Sequence, residues 1–222
     1  MVDLDRPVVR PQDPMVSFRR AVPLDMSRPA EEIDACRLAH EKLNEAVLGL
    51  TDVSRPSLLP GWTVGHVLAH LTQNADSMCR RIDGALRGEH VEQYAGGVAG
   101  RANDIEAAGS LPPEQLVADA HASSLRLDDL FDTLPDHCWP MSVKSITGGE
   151  VLVAALPFRR WREVEIHLVD LDLGFTPAGW PDRLVTQMYP RLIEGLAKRA
   201  NEHDLVAWML GRGPSPDLRP WG

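Results

Sequence analysis

The stretch LPGWTVGHVLAHL, residues 59–71, decides how the chain folds. A Pro60-Gly61 turn leads into Thr63, whose hydroxyl suits a helix N-cap. Beyond it Val67 and Leu71 open an apolar stripe that Met78 and Ile82 continue, in the steps of a helix with one buried face. The same helix carries His66 and His70, four residues apart and therefore on one side. Those imidazoles either fill a core or hold something.

Working outward, residues 29–50 repeat the helical period through Ile33, Cys36, His40, Leu43, Val47 and Leu50, with Pro29 at the head and TDVSRPS at the end. The helix opened at Thr63 runs to Gly84–Gly88. In VEQYAGGVAGRANDIEAAGS only Arg101–Ala108 reads as helix, and the GGVAG run reads as a flexible loop. Pro112-Pro113 start a fourth helix through Leu116, Ala120, Leu127 and Leu130-Phe131. Two β-prone runs around Thr147-Gly148-Gly149 form a hairpin, and Pro157 opens a helix that Gly174 closes. Two further helices are expected at 182–200 and 203–211. The fold class is mainly all-α, a four-helix bundle with a short hairpin and a helical annex. Its divisions are a loose tail over 1–27, the bundle over 28–175 and the annex over 176–222.

The 222 residues are 44% hydrophobic and 25% charged, a soluble globular balance. There is no apolar run of ~18 residues that would span a membrane, and the proline-bearing N-terminus lacks the apolar core of a signal peptide. A net charge of −9 argues against a nucleic-acid partner. Three scattered cysteines, Cys36, Cys79 and Cys138, without a C-x-x-C, fit a reducing cytoplasm better than a disulfide scaffold.

The densest chemistry lies in PFRRWREVEIHLVDLDLG, residues 157–174. Glu163, His167 and Asp170, four and three residues apart, share one helix face with successive side chains about 5–6 Å apart. Glu163 and His167 can therefore give an oxygen and a nitrogen to one ion, while Glu165 points elsewhere. With either His66 or His70 added, the set becomes two histidines and a carboxylate with a position left open, as in catalytic zinc sites. Asp170 could accept a hydrogen bond from an imidazole N–H and orient the ring. The other histidines, His40 among them, read as ordinary packed or surface residues, and Cys79 as a small apolar filler. Arg159, Arg160 and Arg162 read as a solvated face, from which one of them, or Arg212, could clamp a carboxylate.

Taken together, LPGWTVGHVLAHL and RWREVEIHLVDLDLG resemble the paired motifs of the mycothiol-dependent maleylpyruvate isomerase family, a DinB-like metal-binding bundle. The resemblance covers about residues 30–175, including YAGGVAGRANDIE. It implies metal ligation by His70, Glu163 and His167, with zinc or another divalent ion bound, and leaves His66 as a neighbour. The stretch LVAWMLGRGP implies an active-site role for Arg212, on an annex shorter than the family's C-terminal domain.

The resemblance further implies that mycothiol is the thiol cosubstrate. Its metal-bound thiolate would add to the cis double bond of maleylpyruvate, the bond would rotate, and elimination would give fumarylpyruvate. Two alternatives use the same ligands: a mycothiol S-transferase acting on a small electrophile, and a non-catalytic metal-binding protein.

Overall fold

Apolar periodicity becomes packed helices in the computed structural model, which describes residues 26–219. Helix α1 spans Ala30–Val47 and α2 spans Val64–Leu86; α3 is Gly97–Gly109 and α4 is Pro113–Thr133. After a hairpin of β1 (Ser142–Lys144) and β2 (Glu150–Leu152) comes α5, Leu156–Asp170. Helices α6 (Asp182–Leu196) and α7 (Glu202–Met209) follow. The expected tail lies outside the described residues as far as residue 25.

Four helices form the bundle. Helix α2 packs on α4 and α5, α1 packs on the same two, and α3 lies along the outside of α2. Ile33, Leu43, Leu68, Leu71, Leu127, Phe131, Leu156 and Val164 meet in its centre, each at most 2% exposed. Burial of that apolar face, rather than helix propensity, holds the elements together. The hairpin pairs Ser142 with Leu152 and Lys144 with Glu150, in antiparallel register, and rests on α2. Helix α6 is tied to the first turn of α1 by Arg183, which reaches Glu31 and Glu32 at 2.6 Å each.

Three expectations need correction. The glycine run is not a loop: Gly97–Gly100 is the first turn of α3. Gly96 takes the left-handed conformation (φ 73°) that turns the chain into that helix. At the far end of α3, Gly109 packs against the ring of His66, where a Cβ would collide. Helix α5 ends at Asp170, four residues before Gly174, because Asp172 already adopts φ 53°. The carbonyls freed there are capped from the loop before α2. Leu58 N–H donates to Asp170 O at 2.9 Å, and Arg55 Nη2 donates to Leu171 O at 2.6 Å. Finally, Arg160 is not on a solvated face; it is fully buried.

Candidate metal centre

The loop that caps α5 also launches α2. Gly61 turns the chain at φ 79°, and Thr63 caps the helix with its hydroxyl accepting from the His66 N–H at 3.3 Å. His66 returns the favour: its Nδ1 accepts from the Thr63 N–H at 3.0 Å. This reciprocal cap gives His66 a local task. Its Nε2 lies 3.3 Å from Glu106 but is not aligned for a hydrogen bond.

One turn later His70 points into the bundle, buried, with its Nε2 3.3 Å from Glu163 Oε2. From the next turn of α5, His167 Nε2 lies 3.7 Å from the same oxygen, and the two imidazole centroids stand 4.7 Å apart, edge to face. Donor atoms of His70, Glu163 and His167 all fall within 4.8 Å of one another. His167 Nδ1 meets Asp170 Oδ2 at 2.8 Å. Because a carboxylate only accepts, Nδ1 carries a proton toward Asp170, and Nε2 is the nitrogen turned toward Glu163 and His70.

The electrostatics follow from burial and these bonds. Burial pushes the His70 pKa down to about 4, so the ring is neutral at physiological pH. Burial opposes charge on His167 as well, but Asp170 and Glu163 outweigh it and raise its pKa. Glu163 loses solvent too, yet the two histidines and Arg162, 2.7 Å from its Oε1, hold it well below the usual carboxylate range. It is an anion waiting between two imidazoles.

Two residues at this site carried no sequence signal of their own. Arg101 of α3 donates to His70 Nδ1 at 3.0 Å, and its guanidinium lies 6.0 Å from the ring of Trp62 and 5.7 Å from that of Tyr94. Trp62 in turn stands edge-on to His70, 5.8 Å away. Both belong to quoted motifs, but only the packing of α3 on α2 brings them together. Arg212 is exposed beyond α7, and no hydrogen bond or ion pair links its side chain to the other site residues.

A second trio, Cys36, His40 and Asp128, also has its donor atoms within 4.8 Å of one another. Here both imidazole nitrogens are taken: Nδ1 by Asp128 at 2.9 Å and Nε2 by the Nε of Arg160 at 2.9 Å. Burial raises the Cys36 pKa, so its sulfur stays a neutral thiol. A guanidinium occupies the position a cation would need.

With the geometry described, comparison gives a family and a fold. Residues 36–172 match the mycothiol maleylpyruvate isomerase N-terminal domain. The crystal structure of the mycothiol-dependent maleylpyruvate isomerase superposes with TM-score 0.71 at 24% identity, covering 87% of this chain and 81% of that one. A histidine-to-alanine mutant of that enzyme gives TM-score 0.72 with the same identity and coverage. YfiT from Bacillus subtilis, "a probable metal-dependent hydrolase with an unusual four-helix bundle topology", gives TM-score 0.53 at 21% identity over 69% of this chain and 89% of that one. No curated protein matches.

Proposed function

From the premise that this chain belongs to the mycothiol maleylpyruvate isomerase family, we propose that it is a metal- and mycothiol-dependent cis-trans isomerase acting on maleylpyruvate. The observation that carries the reading is the convergence of His70, Glu163 and His167, with the His167 tautomer set by Asp170. The donor set suits zinc or a similar divalent ion: two imidazole nitrogens, one carboxylate and, among the described residues, no fourth ligand in the group. The bundle over 28–175 is the metal-binding unit of this reading and 176–222 its annex.

A divalent cation held there would keep positive charge after Glu163 and so favour the ionised form of an incoming thiol. The chain's own thiols do not supply that nucleophile. Burial raises Cys36 and Cys138, and raises Cys79 to about 11, so all three stay protonated near neutrality. An external thiol such as mycothiol fills the gap.

Arg101 is the residue for the substrate. In the structure its N–H donates to His70 Nδ1, which leaves that ring's proton on Nε2, facing Glu163. A ligating Nε2 requires the opposite tautomer, with the proton on Nδ1. With an ion held there, Arg101 would lose that acceptor and could take a substrate carboxylate as a two-pronged donor from its place near Trp62 and Tyr94. In this reading Arg101 takes the role that the resemblance implies for Arg212.

Proton NMR of metal-loaded protein with maleylpyruvate, with and without catalytic mycothiol, tests the reading. Fumarylpyruvate formed only with the thiol, and the thiol recovered, is the expected result. Stoichiometric loss of the thiol into an adduct would instead make the protein an S-transferase. No turnover at all would leave a metal-binding protein.

A further inference from the structure

A buried polar chain crosses the bundle behind the site, and nothing in the proposed reaction uses it. Arg160 of α5 is fully buried. Its Nε donates to His40 Nε2 on α1 at 2.9 Å, and its Nη1 donates to Leu71 O at 2.7 Å and Asn74 Oδ1 at 3.1 Å, both on α2. His40 Nδ1 meets Asp128 Oδ1 of α4 at 2.9 Å. Arginine has only donors, so Nε2 is the accepting nitrogen and the ring proton goes from Nδ1 toward Asp128. Burial holds the His40 pKa below its ordinary value, which keeps the ring neutral.

The charges on this chain are therefore Arg160 at one end and Asp128 at the other, with a neutral imidazole between them. Among the described residues no carboxylate touches the guanidinium directly. A buried cation without a counter-charge is strongly disfavoured, and His40 carries that counter-charge inward through its two nitrogens. Each of the four bundle helices contributes to it, α2 with both Leu71 and Asn74.

The placement of the Arg160 grip ties it to the metal centre. Leu71 immediately follows His70, and Arg160 lies one turn before Glu163 on the same helix face. A closed path runs from Arg160 to Leu71 O, along the backbone to His70, across 3.3 Å to Glu163, and back along α5. Apolar packing alone lets two helices slide and rotate by fractions of an ångström; a forked donor on one carbonyl and one amide does not. We propose that Arg160 is a positioning residue for the metal centre, holding α2 and α5 at the spacing and rotation that bring His70 and Glu163 together, with His40 relaying Asp128 to stabilise it. The proposal rests on the reading of His70, Glu163 and His167 as metal ligands.

Cobalt(II) titration of the full chain, followed by d–d absorption, measures both affinity and coordination geometry. Arg160→Met is expected to weaken binding by about tenfold or more, the scale on which partners of ligating groups act, and to shift the absorption bands. Arg160→Lys keeps the charge but not the fork, and recovers only part of the affinity. Ile33→Ala, a core truncation on α1 outside the network, lowers Tm and leaves cobalt affinity and spectrum unchanged. If Arg160→Met does not fold, His40→Gln decides: its amide oxygen can still accept from Nε while the link to Asp128 is cut, giving a smaller loss in the same direction. Folded Arg160 or His40 variants with wild-type affinity and spectrum would overturn the proposal. So would an affinity loss in Ile33→Ala that matches its loss of Tm. If wild-type protein takes up no cobalt, or His70→Ala takes it up equally well, the metal reading fails first and the positioning role falls with it.

Discussion

Two trios of metal-ligand side chains lie in one bundle, and they invite opposite conclusions. Cys36, His40 and Asp128 are as close together as His70, Glu163 and His167. Proximity of donors therefore does not make a metal centre. What differs is what the ring nitrogens face. His40 has both nitrogens engaged, one by Asp128 and one by a guanidinium, and its neighbouring sulfur is held as a thiol. His167 has one nitrogen engaged by Asp170, which turns the other toward a carboxylate held ionised. The first trio has both nitrogens of its one histidine tied to groups of the fold, whereas in the second the Nε2 atoms of His70 and His167 and the Glu163 carboxylate face one another.

The strongest way to break this contrast is to remove one member from each trio. His70→Ala should lower metal affinity by more than the 10- to 100-fold typical of losing an outer partner, leaving only background metal after gel filtration. Cys36→Ala should keep stoichiometric metal. Elemental analysis of both variants decides, and metal that follows Cys36 would reverse the assignment.

Asp170→Asn sharpens the contrast by disturbing only the tautomer. An amide can donate to His167 Nδ1 and leave the proton on Nε2, so a drop of about 10- to 100-fold in zinc affinity is expected by competition titration. Affinity unchanged within error would mean that Asp170 does not set the ring.

The first trio makes its own prediction in pH. The folded-state pKa of His40 is lowered from 6.5, with Cys36, Asp128 and Arg160 as the groups facing it. Below 6.5 the unfolded chain takes up a proton that the native ring refuses, so the stabilisation is present above that pH and is lost as pH falls. His70 acts in the same direction, so the test is a difference. Urea unfolding of metal-free wild type should lose stability between pH 7 and pH 5 more steeply than His40→Gln. Parallel slopes would mean that His40 is not held neutral.

The smallest effect belongs to His66. His66→Ala should leave metal content intact and cost about 1 kcal/mol in thermal or urea unfolding, the scale of a lost helix cap. Loss of metal in this variant would place the wrong histidine in the centre.

Much of this was legible in the linear chain because helices impose a local rule. The apolar steps through Ile33 to Val47, and from Val67 to Ile82, mark helix faces, and the i, i+4, i+7 spacing of Glu163, His167 and Asp170 puts them on one face wherever the helix lies. The choice between His66 and His70 was not legible from spacing, since both satisfy it. It depends on which turn faces α5 and which is consumed by the Thr63 cap. The glycine run misled because glycine reads as a breaker, whereas here Gly96 admits the turn into α3 and Gly100 lets its first turn lie against the Ala95 carbonyl.

Arg160 shows most clearly where local rules stop. In RRWRE one arginine is buried and the others are not, and nothing in that spelling tells them apart. The sequence by itself determined the helices, their apolar faces and the donor types that each face carries, because those follow from periodicity within one segment. Only the tertiary structure decided which donors meet, which histidines turn a nitrogen toward Glu163, and that a guanidinium in the core is balanced through His40. Those outcomes depend on distances of about 3 Å between residues some 90 to 120 positions apart.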